Sequence, residues 1–195
     1  MNRKTYLFGA TAHNKTLLIS TIAVLLALTV LAQFLCGLAG IQLLTGSVVN
    51  MFLLVASALC GLVGGVSVGL VTPFIALALG INPNAILVPF IALANAIYVA
   101  IYSCNKLFNF EKVWLNYLVK VGAVVVASFV KFCFMFFVCV KLILPLFMAE
   151  PVIAKLGATW GIIQFFAGLL GGVGCILLEV ALSSRKIKLL NNENN

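Results

Sequence analysis

The segment from Thr45 to Ile81 contains no charged residue, and this run constrains the fold more than any other feature of the chain. As a single helix it would extend about 55 Å at 1.5 Å per residue, whereas the hydrocarbon core of a bilayer is about 30 Å thick. The run is therefore too long for one membrane span. Glycines at positions 61, 64 and 65 predict that it divides there into two short helices.

The rest of the chain has the same apolar character. Of its 195 residues, 64% are hydrophobic and only 8% are charged, against roughly 25% charged residues in soluble domains. The four acidic residues are all Glu, and there is one His and no Asp. Most hydrolytic, metal-assisted and phosphoryl-transfer sites are built from carboxylates and imidazoles. We therefore predict a membrane protein that is not an enzyme, with no catalytic residue, cofactor or metal site.

Residues 1–195 are predicted to form a single membrane domain, an all-α bundle of six transmembrane helices. The predicted spans are 16–36, 47–63, 66–81, 85–103, 117–141 and 159–182. The first apolar run is too long for the core of a signal peptide, which spans roughly 7 to 15 residues. The polar tail over residues 186–195 is predicted to be disordered.

Basic residues predict the orientation of the bundle, with both termini in the cytoplasm. An even number of crossings places eight basic residues in cytoplasmic segments and two on the other side, a clear positive-inside bias. The cytoplasmic set is Arg3, Lys4, Lys15, Lys106, Lys112, Arg185, Lys186 and Lys188, and the outer set is Lys141 and Lys155. Because the cations cluster at the ends of apolar runs, the net charge of +8 does not indicate nucleic acid binding.

Lys131 is the most informative charged residue, because it falls in the middle of the fifth predicted span. Lys120 and Lys141 are about 30 Å apart and can reach opposite interfaces, but Lys131 cannot. No carboxylate is predicted at its depth, since Glu179 falls near the cytoplasmic end of the sixth span. A buried cation without a protein partner indicates an anionic ligand, most simply a carboxylate. The alternative is a lysine that snorkels toward an interface or is held by carbonyl groups and water.

Other polar residues are predicted on the same outer half of the bundle. Singly, each is typical of an interhelical hydrogen bond, and Trp160 is typical of an interfacial anchor. Together they predict an outward-opening pocket with amide groups, one cation and aromatic walls. The predicted ligand contacts are Lys131, Asn95, Gln164, Tyr98, Trp160, Gln33, Asn50 and Gln42.

Small residues predict close helix contacts. The sequences 61–66 (GLVGGV) and 168–173 (GLLGGV) both contain G-x-x-x-G, which lets helix backbones approach closely in lipid. An internal duplication is the alternative explanation, but close packing is the simpler one. In the first span, Ala23 and Ala27 lie on one face, with Ser20 one turn earlier.

In these features the chain resembles the substrate-binding S components of energy-coupling-factor (ECF) vitamin transporters. The resemblance covers nearly the whole chain and includes Ala23-x-x-x-Ala27 and segments 46–50 (GSVVN), 69–74 (GLVTPF) and 88–95 (VPFIALAN). It implies six helices, a vitamin site in the outer half, and docking of the first span on a transmembrane coupling protein driven by two cytoplasmic ATPases. Carried over by position, Ala23, Ala27 and Ser20 would contact the coupling protein.

The leading hypothesis is therefore a substrate-capture subunit in the bacterial cell membrane, which binds a small anionic vitamin or related metabolite. No G-x-x-x-x-G-K-[ST] motif occurs, as expected for a subunit that relies on separate ATPases. Residues typical of thiamine or biotin binders are not evident, so the ligand stays open. Two alternatives remain: an autonomous small secondary transporter or channel, and a noncatalytic membrane assembly factor.

Overall fold

The structure is a computed structural model of the whole chain. It describes residues 14–81, 85–108, 110–149, 153, 156–157 and 160–193, with side chains described up to residue 182. All secondary structure in this part of the chain is helical. The predicted contributions of Arg3, Lys4 and Lys155 to the charge bias fall on residues whose structure is not described.

Six α-helices with defined bounds follow one another in the described part of the chain. They are α1 (Lys15–Leu38), α2 (Gln42–Ala78), α3 (Val88–Ser103), α4 (Val113–Phe134), α5 (Leu144–Phe147) and α6 (Ile162–Glu193). Short 3-10 helices at Ala85–Leu87 and Cys104–Leu107 flank α3, and a π-helix at Met135–Ile143 joins α4 to α5. The tail predicted to be disordered from residue 186 is helical in the structure as far as Glu193, as a continuation of α6.

Local sequence explains where α1 begins and ends. The Asn14 side chain accepts a hydrogen bond from the Leu17 backbone N–H at 3.1 Å, which satisfies one of the free donors of the first turn. After Leu38 the chain turns at Gly40, whose φ of +68° is readily adopted only by glycine. This short turn returns the chain into α2 and places the C-terminal end of α1 beside the N-terminal end of α2.

Helix α2 is interrupted at Gly61, where φ is +73° and ψ is −171°. A Cβ atom built on Gly65 would lie 2.8 Å from the Cβ atom of Ser57, eight residues earlier. In a continuous helix these positions would be about 12 Å apart along the axis. The two arms of α2, residues 42–60 and 62–78, therefore fold back on each other at Gly61.

The described chain contains five helical segments that are long and apolar enough to cross a membrane. They are Lys15–Leu38, Gln42–Ala78, Ala85–Leu107, Val113–Phe147 and Ile162–Leu182. This differs from the six predicted spans because the predicted second and third spans belong to the single element α2. The interruption itself lies at one of the three glycines that the sequence marked.

Helix α2 occupies the centre of the bundle and packs against α1, α3 and α6, while α4 packs against α3 and α6. Glycines of α6 allow this helix to approach α2 and α4 closely. A Cβ atom on Gly171 would lie 2.7 Å from the Cβ atom of Asn50, and one on Gly168 would lie 2.6 Å from the Ser128 hydroxyl oxygen. The two glycines of the G-x-x-x-G motif in α6 are Gly168 and Gly172, and a Cβ atom on Gly172 would overlap the Val124 side chain of α4. The interpretation of this motif as a close-packing surface is therefore confirmed.

Candidate functional site

The Lys131 side chain lies inside the bundle and is only 3% exposed. Its ammonium group donates hydrogen bonds to the side-chain oxygens of Asn50 on α2 and Asn95 on α3, each at 2.7 Å. An ammonium group has three N–H donors, so these two bonds leave the third for another acceptor. The lysine is thus held in place by neutral amides, and its charge is not neutralised by them.

A proline places Asn95 in this arrangement. Pro73 has no backbone N–H, so it leaves the carbonyl of Gly69, four residues earlier, without its helical partner. The Asn95 amide nitrogen donates to this carbonyl at 3.3 Å. The other end of the same amide, its oxygen, is thereby turned toward Lys131. The orientation of Asn95 therefore depends on a break in the hydrogen-bond ladder of a different helix.

Tyr98 lies on the other side of the lysine. The ammonium nitrogen is 5.1 Å from the centre of the Tyr98 ring, a cation–π distance. The Tyr98 hydroxyl donates to the Gly168 carbonyl on α6 at 2.8 Å. The Tyr98 ring therefore contacts the lysine ammonium group, and the Tyr98 hydroxyl joins α3 to α6.

Lys131 lines a cavity of about 60 Å³, which we call the Lys131 cavity. Its lining residues come from both arms of α2, from α1, α3 and α4, and from the start of α6 and the residues before it. They are Gln33, Gln42, Gly46, Val49, Asn50, Thr72, Pro73, Ile91, Asn95, Lys131, Trp160 and Gln164. Seven of the eight predicted ligand contacts are in this set; Tyr98 lies beside it, under the lysine.

Sequence reasoning missed the contribution of the second arm of α2, which brings Thr72 and Pro73 to the cavity. A proline within an apolar run was the available signal, because it leaves a carbonyl free to accept a hydrogen bond from a neighbouring helix. Trp160 was equally compatible with an interfacial anchor. In the structure it is 8% exposed and lines the cavity.

Three buried polar atoms of the lining lack a hydrogen-bond partner within the described part of the chain. They are the Asn50 side-chain nitrogen, the Trp160 indole nitrogen and the Gln33 side-chain oxygen. Asn50 is 1% exposed, so water outside the bundle does not reach it. Buried polar groups in native proteins are nearly always satisfied, and each exception calls for an explanation. Here all three belong to one cavity.

A second charged cluster lies at the opposite end of α4. Lys120 forms an ion pair with Glu179 of α6, and the Tyr102 hydroxyl donates to the same carboxylate at 3.4 Å. This is the one ion pair among residues whose side chains the structure describes. Nearby, Lys106 donates to the Ser57 carbonyl, next to the turn of α2. Glu179 is therefore committed to Lys120, and Lys131 has no carboxylate partner in the same part of the chain.

An apolar groove of about 620 Å³ lies on the surface of the bundle, between α1 and the end of α2, and we call it the α1 groove. Its walls are one face of α1 and the end of the second arm of α2. The lining residues are Ala23, Leu26, Ala27, Val30, Leu31, Phe34, Ile75 and Leu79. The predicted coupling residues Ala23 and Ala27 lie in this groove, whereas Ser20 is exposed outside it.

The fold and the cavity together define a multi-pass membrane protein with a polar site between apolar helices. The chain matches the family described as ECF transporter, substrate-specific component, over residues 18–183. It therefore belongs to this family of substrate-binding transport subunits, as the sequence predicted. Members act with membrane and ATPase components of the transporter and are not enzymes. A search among curated proteins and a search among solved structures each find no match.

Proposed function

We propose that the protein captures a small anionic vitamin or related metabolite in the Lys131 cavity. The observation that carries this proposal is a buried lysine whose two protein partners are neutral amides and which lines a cavity. Holding an unpaired charge inside a membrane protein is expensive, and such residues mark substrate pathways. A ligand carboxylate would supply the missing charge through a charge-assisted hydrogen bond.

The Lys131 cavity must expand before it can hold a vitamin. Sites for small molecules usually have volumes of about 300–1,000 Å³, well above the 60 Å³ of the Lys131 cavity. Binding a vitamin therefore requires the lining helices to move apart. Helix α1 is the least buried of the five apolar segments, so its displacement breaks the fewest contacts. We propose that α1 and the turn at Gly40 move outward when the ligand enters.

We also propose that the two arms of α2 cross the membrane separately, which yields six spans with both termini in the cytoplasm of a bacterium. The basic residues Lys15, Lys106 and Lys112 then lie at the cytoplasmic end of the bundle. The Lys131 cavity is lined by the other end of α1, near Gln33, and by the start of α2. In this orientation the cavity opens to the outside, as capture from the medium requires.

We propose the α1 groove as the surface that docks on the transmembrane coupling protein, which two cytoplasmic ATPases drive. Family membership implies such a partner. The groove is apolar, and alanines at positions 23 and 27 let another helix approach closely. Because α1 lines both this groove and the Lys131 cavity, one helix would contact both the ligand and the partner.

Ligand capture is tested on the full chain, purified in detergent. We expect mass spectrometry of the denatured sample to reveal a released carboxylic acid at near one equivalent. Protein purified without that molecule should be stabilised against heat by at least one acid from a panel of vitamins that includes pantothenate, lipoate and nicotinate. A protein that releases no acid and responds to none of the panel would contradict ligand capture.

Docking is tested by affinity capture of the tagged chain from a strain that expresses a complete ECF module. We expect the coupling protein and both ATPases to be recovered. Ala27→Trp should reduce recovery at least tenfold, because the indole fills the α1 groove. The matched control is Ala96→Trp, on a separate apolar groove between α2 and α3, which should recover the module normally. Equal recovery with both variants would exclude the α1 groove as the docking surface.

A further inference from the structure

We infer that the captured molecule carries, in addition to its carboxylate, a hydrogen-bond donor such as a hydroxyl or N–H group, and that Gln33 accepts a hydrogen bond from it. This inference rests on the proposed capture function and narrows the class of substrate. It makes Gln33 a residue that determines specificity. The unpartnered polar atoms that line the cavity comprise donors and one acceptor, and each requires the complementary group on the ligand.

Donors predominate around the lysine. The third N–H of Lys131, the Asn50 side-chain nitrogen and the Trp160 indole nitrogen all lack an acceptor in the described residues. A tryptophan indole can only donate, and an ammonium group can only donate. An ionised carboxylate accepts only and has two oxygens with about four lone-pair sites, so it can satisfy all three donors at once.

The Gln33 side-chain oxygen, in contrast, requires a hydrogen-bond donor. It is buried and has no donor among the residues that the structure describes. A carboxylate cannot satisfy it, because both groups are acceptors. With the Gln33 amide in this orientation, a molecule that fills the cavity next to the oxygen must supply a donor or leave a buried acceptor unpaired.

Water can satisfy the oxygen while the cavity is small. A space of 60 Å³ holds a water molecule, and such a water would donate to Gln33. A ligand that enters displaces this water, and affinity falls when the incoming group cannot reproduce its hydrogen bonds. Displacement of this water therefore favours a ligand that carries a hydrogen-bond donor next to the Gln33 oxygen.

The first experiment uses the molecule released from the purified wild-type protein. Carbodiimide coupling to an amine, followed by mass spectrometry, identifies its carboxyl group. Exchange into deuterated solvent counts its labile hydrogens, of which the carboxyl accounts for one. We expect at least one more. A molecule with a carboxyl group as its sole exchangeable position would overturn this inference and leave the capture function intact.

The second experiment combines a protein variant with a chemical one. Gln33→Met keeps the length of the side chain and removes its acceptor, and we expect about tenfold weaker binding of the released molecule. Leu35→Met is the matched control on the same helix, 55% exposed and outside the cavity, and it should bind as wild type does. Methylating the donor should weaken binding about tenfold in wild type and have little effect in Gln33→Met.

The possible outcomes distinguish an error in the inference about Gln33 from an error in the proposed capture function. If methylation weakens binding equally in wild type and Gln33→Met, another residue contacts the donor and the inference about Gln33 is wrong. If the released molecule has no carboxyl group, the proposed function fails together with the inference. Coupling between the methyl group and the Gln33 substitution, in a carboxylic acid, supports both.

Discussion

Two lysines eleven residues apart on α4 have opposite environments. Lys120 lies at one end of the helix and forms an ion pair with Glu179, and their side chains are 27% and 23% exposed. Lys131 is much more deeply buried, yet its hydrogen-bond partners are neutral amide oxygens. If both served stability alone, the more buried charge would need a counter-charge more, because desolvation is costlier there.

We interpret the charge of Lys120 as structural and the charge of Lys131 as functional. At Lys120 the chain supplies the carboxylate, and the pair joins α4 to α6. At Lys131 the two asparagines orient the ammonium group without neutralising its charge, and in the proposed function a ligand carboxylate supplies the counter-charge. Four variants test whether this distinction holds.

The largest effect is expected from Lys131→Met. We predict at least 100-fold weaker binding of the acid released from wild type, because its carboxylate loses both the nearby positive charge and the charge-assisted hydrogen bond from the third N–H of the ammonium group. Stability of the empty protein should change by less than about 1 kcal/mol, because removing a buried charge offsets the loss of donors to Asn50 and Asn95. Calorimetric titration and thermal unfolding measure the two quantities. Unchanged affinity would show that Lys131 has no ligand role.

Asn95→Asp supplies the carboxylate that the Lys131 environment lacks. The new ion pair should compete with the ligand for the ammonium group. Its gain in stability is offset, because the carboxylate cannot donate to the Gly69 carbonyl as the Asn95 nitrogen does. We therefore predict at least tenfold weaker binding with little change in the unfolding temperature of the empty protein. Asn105→Asp is the control, because it also adds an acid to the segment Ala85–Leu107 and removes an amide donor to a backbone carbonyl, but lies outside the cavity, so it should not weaken binding. Tighter binding by Asn95→Asp would contradict an anionic ligand.

The elements of this site differ in how far sequence predicts them. Lys131 was predictable because a bilayer penalises charge, so a lysine in mid-span needs a reason. Its neighbour Asn95 was predictable because each span has a direction and a rise of 1.5 Å per residue, which sets the depth of each residue. Asn50 was expected at the outer edge of the bundle, and its hydrogen bond to Lys131 was not predicted.

Contacts between helices were not predictable in the same way. The hydrogen bond from Asn95 to the Gly69 carbonyl depends on the rotation of α3 against the second arm of α2. The unpaired state of the Gln33 oxygen likewise depends on which side chains reach it from other helices. The merging of two predicted spans into α2 follows from the tightness of the turn at Gly61, which needs no intervening loop.

Glu179→Gln tests the structural half of the comparison. Lys120 would lose its counter-charge, and we predict a loss of about 1–2 kcal/mol of stability, since both side chains are partly exposed and the pair is partly screened. Binding of the released acid should stay within twofold of wild type. The double variant Lys120→Met/Glu179→Gln should recover most of the stability, because it leaves no unpaired charge. A large loss of binding in Glu179→Gln would show that the two ends of the bundle are coupled.

The smallest effect is expected from Tyr98→Phe, which tests whether Tyr98 acts through its ring or its hydroxyl. The ring remains and keeps its cation–π contact with Lys131, so binding should change less than twofold. The hydroxyl bond to the Gly168 carbonyl is lost, which should lower stability by about 1 kcal/mol. Tyr117→Phe is the matched control, because its ring lies 5.5 Å from the Lys120 ammonium nitrogen in the same type of contact. If Tyr98→Phe weakened binding tenfold while Tyr117→Phe did not, the Tyr98 hydroxyl would have to be reassigned from helix packing to the ligand.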